Sequence, residues 1–206
     1  MHYTINTKGA DYVVGDIHGC FTKLQEALNK IGFNPEVDRL FSVGDLVDRG
    51  PESVDCDKWL AKPWFHAIRG NHVQMAIDAV SGFYEPSNYI SNGGAWFLGL
   101  TPPEKTYYTD LFNELPLWME VETIHGLVGI VHGDGPTDWD HVDKLNPHWL
   151  LWGRARHARK DVTPVLNVWR VYCGHTPVKE KLVYGNTHYI DTGAVFGKEF
   201  HIERIN

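Results

Sequence analysis

Short apolar runs alternate with amphipathic segments over the first 80 residues, and each run ends in a glycine or a polar residue. Strands are predicted at Asp11–Val14, Leu40–Val43 and Trp64–Ile68. Helices are predicted at Phe21–Ile31, Ser53–Ala61 and Val73–Val80. Strands that alternate with helices in this way favour a parallel sheet with helical crossovers.

The pattern changes after residue 80. The segments Ser81–Gly94 and Gly133–Pro147 are predicted to be loops, and Ala95–Leu100 and Glu104–Leu115 to be short helices. Further strands, in a more antiparallel arrangement, are predicted at Leu117–Ile124, Gly126–Val131, Val168–Cys173, Lys181–Tyr184, His188–Ile190 and Glu199–Ile205. No repeat or linker divides the chain. We therefore expect one α/β domain over residues 1–206, with two sheets packed between helices.

Composition narrows the class of protein. The apolar content of 43% in 206 residues is enough for a packed core, and the net charge of −7 argues against nucleic-acid binding. The three cysteines, Cys20, Cys56 and Cys173, do not form a disulfide pattern, which favours a reducing cytoplasm. No secretory signal is evident and no apolar run is long enough to span a membrane, so neither export nor membrane insertion is expected.

Five short motifs place metal-binding residue types after apolar runs. The motifs are Gly15–Gly19 (GDIHG), Gly44–Gly50 (GDLVDRG), Arg69–His72 (RGNH), Val131–Asp134 (VHGD) and Gly174–Thr176 (GHT). Ligands delivered from several strand ends can converge on a pair of metal ions, and such a pair with nearby arginines can hydrolyse phosphate esters. A mixed nitrogen and oxygen set suits Mn²⁺, Fe or Zn²⁺ better than Mg²⁺ or Ca²⁺.

Each of these residues has a simpler interpretation when it is taken alone. A single aspartate before a helix, such as Asp16, is usually a cap, and a single histidine is usually a surface or core residue. Tryptophans such as Trp96 are expected in the core rather than against a ligand. The ordered combination of all five motifs is what favours a metal site.

These motifs carry a resemblance that covers nearly the whole chain. With Asn92–Gly94 (NGG), Glu114–Leu117 (ELPL) and Tyr189–Phe196 (YIDTGAVF), the sequence resembles the metallophosphoesterases of the serine/threonine phosphoprotein phosphatase family, and most of all the bacteriophage lambda-type protein phosphatases. The resemblance implies the metallophosphoesterase fold, in which two mixed β-sheets pack as a sandwich flanked by helices. It also implies two divalent metal ions, with Mn²⁺ as the expected metal and Fe or Zn²⁺ as alternatives.

The resemblance assigns a role to each motif residue. The first metal would be held by Asp16, His18 and Asp45, and the second by Asp45, Asn71, His132 and His175. His72 would protonate the leaving alcohol, and Asp48 would orient His72 and keep it charged. The phosphate would be bound by Arg49, Arg69 and Arg154, and Arg156 is an alternative candidate for the role of Arg154. The nucleophile would be a metal-bridging hydroxide that attacks phosphorus directly.

Two positions depart from the family pattern. Val73 stands where an acidic residue is usual, so the resemblance predicts the loss of a contact behind the metal site, although Val73 itself is not a ligand. Gly133 replaces the usual alanine after His132 and is expected to loosen that loop.

Three functions remain open from the sequence. The first is a protein phosphatase acting on phosphoserine and phosphothreonine in proteins or peptides, with phosphotyrosine or phosphohistidine as further substrates. The second is a symmetrical dinucleoside tetraphosphatase or a cyclic nucleotide phosphodiesterase. Asp48 favours the first, since similar tetraphosphatases tend to lack an acid at that position, and so does the short chain. The third is a catalytically dead binding module. A cytoplasmic location, or the host cytoplasm for a phage protein, is expected, and the oligomeric state is not indicated.

Overall fold

The computed structural model describes all residues, 1–206, and builds them into two sheets and eight helices. The strands are β1 (His2–Tyr3), β2 (Asp11–Val14), β3 (Arg39–Ser42), β4 (Phe65–Ala67), β5 (Trp118–Thr123), β6 (Gly126–Val131), β7 (Arg170–Cys173), β8 (Leu182–Tyr184), β9 (Thr187–Tyr189) and β10 (Ile202–Arg204). The helices are α1 (Phe21–Lys30), α2 (Cys56–Leu60), α3 (Asn71–Val80), α4 (Pro86–Ser91), α5 (Ala95–Leu98), α6 (Pro102–Asn113), α7 (Pro147–Trp152) and α8 (Ala155–Arg159).

Both sheets are mixed. The four-stranded sheet has the order β10-β2-β3-β4, in which β2, β3 and β4 are parallel and β10 is antiparallel to β2. The six-stranded sheet has the order β1-β5-β6-β7-β9-β8. The prediction of parallel strands in the first 80 residues is confirmed. The expectation of antiparallel pairing in the second half is wrong for β6 with β7 and for β7 with β9, which are parallel because long connections separate them.

The apolar core has three layers, as a sandwich flanked by helices requires. Val13 and Phe41 of one sheet meet Val128 and Ile130 of the other in the central layer. A second layer packs α1, α3 and α6 onto the outer face of the four-stranded sheet, and a third covers the six-stranded sheet around Trp139. The predicted sandwich of two mixed sheets between helices is therefore confirmed.

Several local predictions differ from the structure. Helix α4 lies inside the predicted loop 81–94, and it starts where Pro86 occupies the first helical turn. A 3₁₀ helix, Trp139–Lys144, lies inside the predicted loop 133–147. Strand β1 and helices α7 and α8 lie outside the elements predicted from the sequence. Helix α3 begins two residues earlier than predicted, which puts Asn71 and His72 in its first turn.

A polar clamp joins β10, an edge strand of the four-stranded sheet, to the six-stranded sheet. Glu203 on β10 accepts hydrogen bonds from Arg170 of β7 at 3.2 Å and from Lys181 at 2.9 Å, and it lies 3.1 Å from His201. Burial alone would raise the pKa of Glu203, but the hydrogen bonds from His201 and Lys181 lower it to about 2. The carboxylate is thus held in its charged form across the sandwich.

We expect Glu203→Gln to lower the free energy of unfolding by about 1–2 kcal/mol at pH 7, because charge-assisted hydrogen bonds are lost at a partly exposed site. The folded-state pKa lies below the ordinary value of 4.5. The stabilisation is therefore present above pH 4.5 and disappears as the pH falls toward 2. Urea unfolding of both proteins between pH 7 and pH 3 measures the difference. The exposed Glu26→Gln serves as control, and a difference that does not depend on pH would contradict the clamp.

None of the eight helices combines the length and apolar character that a bilayer crossing requires.

Candidate active site

The five sequence motifs meet at one edge of the sandwich. Asp16, Asp45 and Asn71 follow the parallel strands β2, β3 and β4, while His132 and His175 follow the parallel strands β6 and β7. The carboxyl ends of parallel strands lie at the same edge of a sheet, so these turns face one another. All five side chains are buried.

The backbone of these turns is unusual. Seven residues other than glycine have a positive φ, and five of them belong to the motifs: His18, Asp45, Asp48, Arg49 and His175. Left-handed φ values are uncommon for residues with a side chain, and they concentrate at functional sites. The sharp turns aim these side chains away from the strands and into the shared edge.

The first group of ligand types contains His18 and Asp45. The Nδ1 atom of His18 lies 2.9 Å from the carbonyl oxygen of Val47, which leaves Nε2 with a free lone pair. That Nε2 lies 3.6 Å from the Asp45 carboxylate, and the guanidinium of Arg49 donates to it at 2.6 Å. The cationic guanidinium of Arg49 therefore contacts the Nε2 atom of His18, which is the atom predicted to bind a metal ion.

The second group is built around Asn71. Its amide oxygen lies 2.8 Å from Nε2 of His132 and 2.7 Å from Nδ1 of His175. Because the Nδ1–H of His132 is directed to the carbonyl oxygen of Val43 at 2.8 Å, the His132 Nε2 carries a lone pair that faces the amide oxygen. Asp45 lies 3.3 Å from the same Nε2 and is shared between both groups. Converging lone pairs of this kind are what a cation satisfies.

Burial controls the charge of the site. It lowers the pKa of His18 to about 3, with neighbouring positive groups adding to the effect, and it lowers the pKa of His175 to about 3, with His132 as the next cause. Both imidazoles are therefore neutral at pH 7, which is the form that binds metals.

The buried carboxylates have opposite shifts. Burial raises the pKa of Asp16 well above its usual value, and the nearby Asp191 and Asp45 add to it. Burial acts in the same direction on Asp45, but His132, His72 and His18 hold its pKa well below the usual range. Crowded carboxylates of this kind need external positive charge to ionise together.

These residues fit two divalent ions. The donors are the imidazoles of His18 and His132 with anchored Nδ1–H groups, a shared carboxylate and an amide oxygen, and the buried Nε2 of His175 has no hydrogen-bond partner. The Asp16 carboxylate lies at the same edge and accepts the backbone N–H of His175 at 3.1 Å. His72 is also close enough to His18 and Asp45 to join the first group on distance alone. Its Nδ1 lies 2.7 Å from Asp48, which, as in His18, leaves Nε2 available, so the role of His72 as proton donor rather than ligand is a proposal.

The Asp48–His72 pair lies beside these groups. Oδ2 of Asp48 is 2.7 Å from Nδ1 of His72, and both side chains are buried. This hydrogen bond fixes which ring nitrogen is turned toward Asp48, and it leaves the Nε2 of His72 without a partner within the chain. The pair has the geometry of a proton donor oriented by a carboxylate.

Two of the three predicted phosphate-binding arginines are at the site. Arg49 is exposed, contacts His18, and has its guanidinium 5.7 Å from the centre of the Phe196 ring. Arg154 is exposed and donates to the carbonyl oxygen of His175 at 3.2 Å. Arg156 instead is buried and donates to the carbonyl oxygen of Thr163 at 2.6 Å, so the geometry favours Arg154 over its competitor.

The structure does not bring Arg69 to the cluster. Its guanidinium donates to the side chain of Gln74 at 3.0 Å and to the carbonyl oxygen of Asn113 at 2.9 Å. These bonds tie the strand end to α3 and to the end of α6. In this structure the guanidinium of Arg69 therefore braces two helices, and its phosphate contact stays a prediction.

The two departures from the family pattern also have structural explanations. Val73 is fully buried in the helix-facing core layer, so apolar packing occupies its position. Gly133 lies against another segment, where an added Cβ would come within 2.8 Å of the backbone nitrogen of Gly153. The expectation that Gly133 loosens its loop is wrong, because the residue permits close packing of the two segments.

Three residues around the cluster were missed by sequence reasoning. Asp191 is buried near Asp16, and burial raises its pKa. Tyr89 and Trp96 both donate hydrogen bonds to Asp48, at 3.1 and 2.7 Å. Two signals were present in the sequence: Asp191 lies inside the Tyr189–Phe196 motif, and Trp96, which was predicted to be a core residue, lies two residues after the Asn92–Gly94 motif.

Comparisons with known proteins agree with this geometry. Residues 12–197 match the model of the calcineurin-like phosphoesterase family. The chain is 40% identical over 200 residues to serine/threonine-protein phosphatase 1 of Salmonella typhimurium, covering 94% of this chain and 91% of that protein. It is 27% identical to an asymmetrical bis(5′-nucleosyl)-tetraphosphatase of Geobacillus, covering 90% and 86%.

A crystal structure described provisionally as a diadenosine tetraphosphatase shares the fold, with a TM-score of 0.68 at 18% identity, over 99% of this chain and 93% of the other. The family match covers most of the sequence and includes all five motifs. The sandwich, the strand-end ligand groups and these likenesses together show that the chain belongs to the calcineurin-like phosphoesterase family.

Proposed function

We propose that the protein is a metal-dependent phosphatase that hydrolyses phosphoserine and phosphothreonine monoesters in proteins. The observation that carries the proposal is the buried Asp48–His72 pair at two groups of candidate metal ligands. A serine alkoxide is a poor leaving group and needs a proton as it departs. A nucleoside phosphate leaves as a stabilised anion and needs one much less.

Each residue then has a defined task. Asp16, His18 and Asp45 would hold one ion, and Asp45, Asn71, His132 and His175 the other. Two such ions supply an activated water at neutral pH and neutralise charge on the phosphate. Arg49 and Arg154 bind phosphate oxygens with their planar guanidinium groups. His72 delivers a proton from Nε2 to the leaving oxygen, while Asp48 holds Nδ1.

The ions are proposed to be Mn²⁺, with Fe or Zn²⁺ as alternatives, because imidazole and carboxylate ligands are mixed. The reducing cytoplasm, or the host cytoplasm for a phage protein, fits three cysteines that are all free thiols. The substrate partners are phosphoproteins or phosphopeptides. The similarity to a serine/threonine-protein phosphatase over most of both chains supports this assignment.

A substrate panel tests the proposal. With Mn²⁺, we expect kcat/KM on phosphoserine and phosphothreonine peptides to exceed that on diadenosine tetraphosphate and cyclic nucleotides. A chelator should abolish turnover, and Mn²⁺ should restore it. Phosphotyrosine and phosphohistidine peptides define the range of substrates. Dinucleotide turnover that exceeds peptide turnover by orders of magnitude would favour the tetraphosphatase reaction, and phosphopeptide binding without turnover would indicate a binding module.

A further inference from the structure

The carboxylate of Asp48 is held by more than His72. Its Oδ2 atom faces His72, and its Oδ1 atom accepts the phenol O–H of Tyr89 at 3.1 Å and the indole N–H of Trp96 at 2.7 Å. The backbone N–H of Asp48 is bonded to the hydroxyl oxygen of Ser53 at 2.9 Å. Three side-chain donors therefore bind one buried carboxylate. One oxygen accepts from the imidazole, and the other accepts from the phenol and the indole.

Both additional donors come from the short helices between α3 and α6. Tyr89 lies on α4 and Trp96 on α5, and the Asn92–Gly94 turn joins the two helices. Tyr89 is fully buried and packs against Phe97, while Trp96 packs edge-on against Tyr108. Burial, followed by the Asp48 charge, raises the pKa of Tyr89, so its phenol remains a donor.

The same segment constrains Arg49. The carbonyl oxygen of Gly93 accepts the backbone N–H of Arg49 at 3.4 Å. An added Cβ on Gly93, whose φ is 98°, would come within 2.4 Å of that nitrogen. The α4–α5 segment thus touches both residues of the Asp48–Arg49 turn, through side chains on Asp48 and through the backbone on Arg49.

We propose that Tyr89 and Trp96 are positioning residues that orient the Asp48–His72 pair for proton delivery to the leaving oxygen. A carboxylate with one oxygen held by two donors cannot rotate freely, so its second oxygen stays directed at the imidazole. Without those donors, Asp48 can turn and His72 loses its fixed orientation. The role rests on the proposed phosphatase function, and it concerns proton delivery rather than metal binding or phosphate binding.

Leaving-group dependence tests the role. The variants are Tyr89→Phe and Trp96→Phe, assayed with Mn²⁺ on a phosphoserine peptide and on 4-nitrophenyl phosphate. The nitrophenolate leaves without needing a proton, whereas the serine alkoxide needs one. We expect the ratio of kcat on 4-nitrophenyl phosphate to kcat on the peptide to rise about tenfold in each variant, as the loss of one hydrogen bond would give.

Tyr108→Phe is the matched control. Its phenol donates to the backbone carbonyl of Val54 at 2.7 Å, in the same helical layer, and does not contact Asp48. The ratio in this variant is expected to equal that of the wild type. If Trp96→Phe does not fold, as judged by circular dichroism, Tyr89→Phe decides alone, since it keeps the buried ring.

Equal loss on both substrates, or no loss on either, would overturn the positioning role. Failure of the phosphatase function is a separate result, because it would be seen in the wild type as absence of turnover on both phosphomonoesters. A raised ratio in the two variants together with an unchanged ratio in Tyr108→Phe supports the role.

Discussion

His72→Asn is expected to lower kcat on a phosphoserine peptide by about two to four orders of magnitude, the usual contribution of a general acid. Asparagine keeps a polar group near Asp48, which holds the imidazole at 2.7 Å, but it has no proton to transfer at the Nε2 position. The loss should be much smaller on 4-nitrophenyl phosphate, whose leaving group needs no proton. Steady-state kinetics on both substrates, with saturating Mn²⁺, measures the difference.

His141→Asn is a suitable control for that variant. His141 also lies near an aspartate, with its Nδ1 3.7 Å from Asp138, but His141 is exposed and belongs to neither ligand group. Its kcat on both substrates should match the wild type. Full activity of His72→Asn on the phosphoserine peptide would refute the proton-donor role.

Gly70→Ala should disable the site without altering any ligand. Its backbone, with φ of −95°, is open to alanine, so any effect is steric. A Cβ at this position would lie 2.1 Å from Oδ1 of Asp45 and 2.3 Å from its backbone nitrogen. Asp45, which is shared by both ligand groups, must therefore move. A displacement of about 1 Å near the chemistry costs on the order of a hundredfold in rate.

We expect Gly70→Ala to bind Mn²⁺ more weakly, as measured by calorimetry, and to lose at least about a hundredfold in kcat/KM. Gly99→Ala is the control, because its added Cβ would make only ordinary contacts, at 3.5 Å or more. A Gly70→Ala protein with wild-type metal affinity and rate would show that the Asp45 carboxylate does not have to remain where the structure places it.

The convergence of the motifs could be predicted because chain geometry alone determines it. An apolar run such as Asp11–Val14 or Leu40–Val43 indicates a buried strand, and the polar residue after it must lie at the sheet edge. The parallel order of β2, β3 and β4 then places Asp16, Asp45 and Asn71 together. In this part of the chain, local pattern and tertiary structure agree.

The environment of Asp48 could not be predicted in the same way. Trp96 reaches Asp48 across 48 residues of chain, and no local periodicity encodes which polar atom an indole finds. The polar composition of residues 81–94 predicts a loop, so neither helix α4 nor the contact of Tyr89 with Asp48 could be predicted. The direction of the Arg69 side chain could not be predicted either. Its position in the motif indicates a phosphate contact, but its guanidinium is bonded to Gln74 and Asn113.

The left-handed residues of the site have a consequence for protein engineering. A positive φ at a residue with a side chain costs roughly 1–3 kcal/mol, and His18, Asp45, Asp48, Arg49 and His175 share this conformation. Replacing any of them by glycine would relax the backbone and remove a functional group in the same step. A selection for heat resistance alone would therefore enrich inactive proteins, so thermostable variants that keep their activity have to be sought outside these five positions.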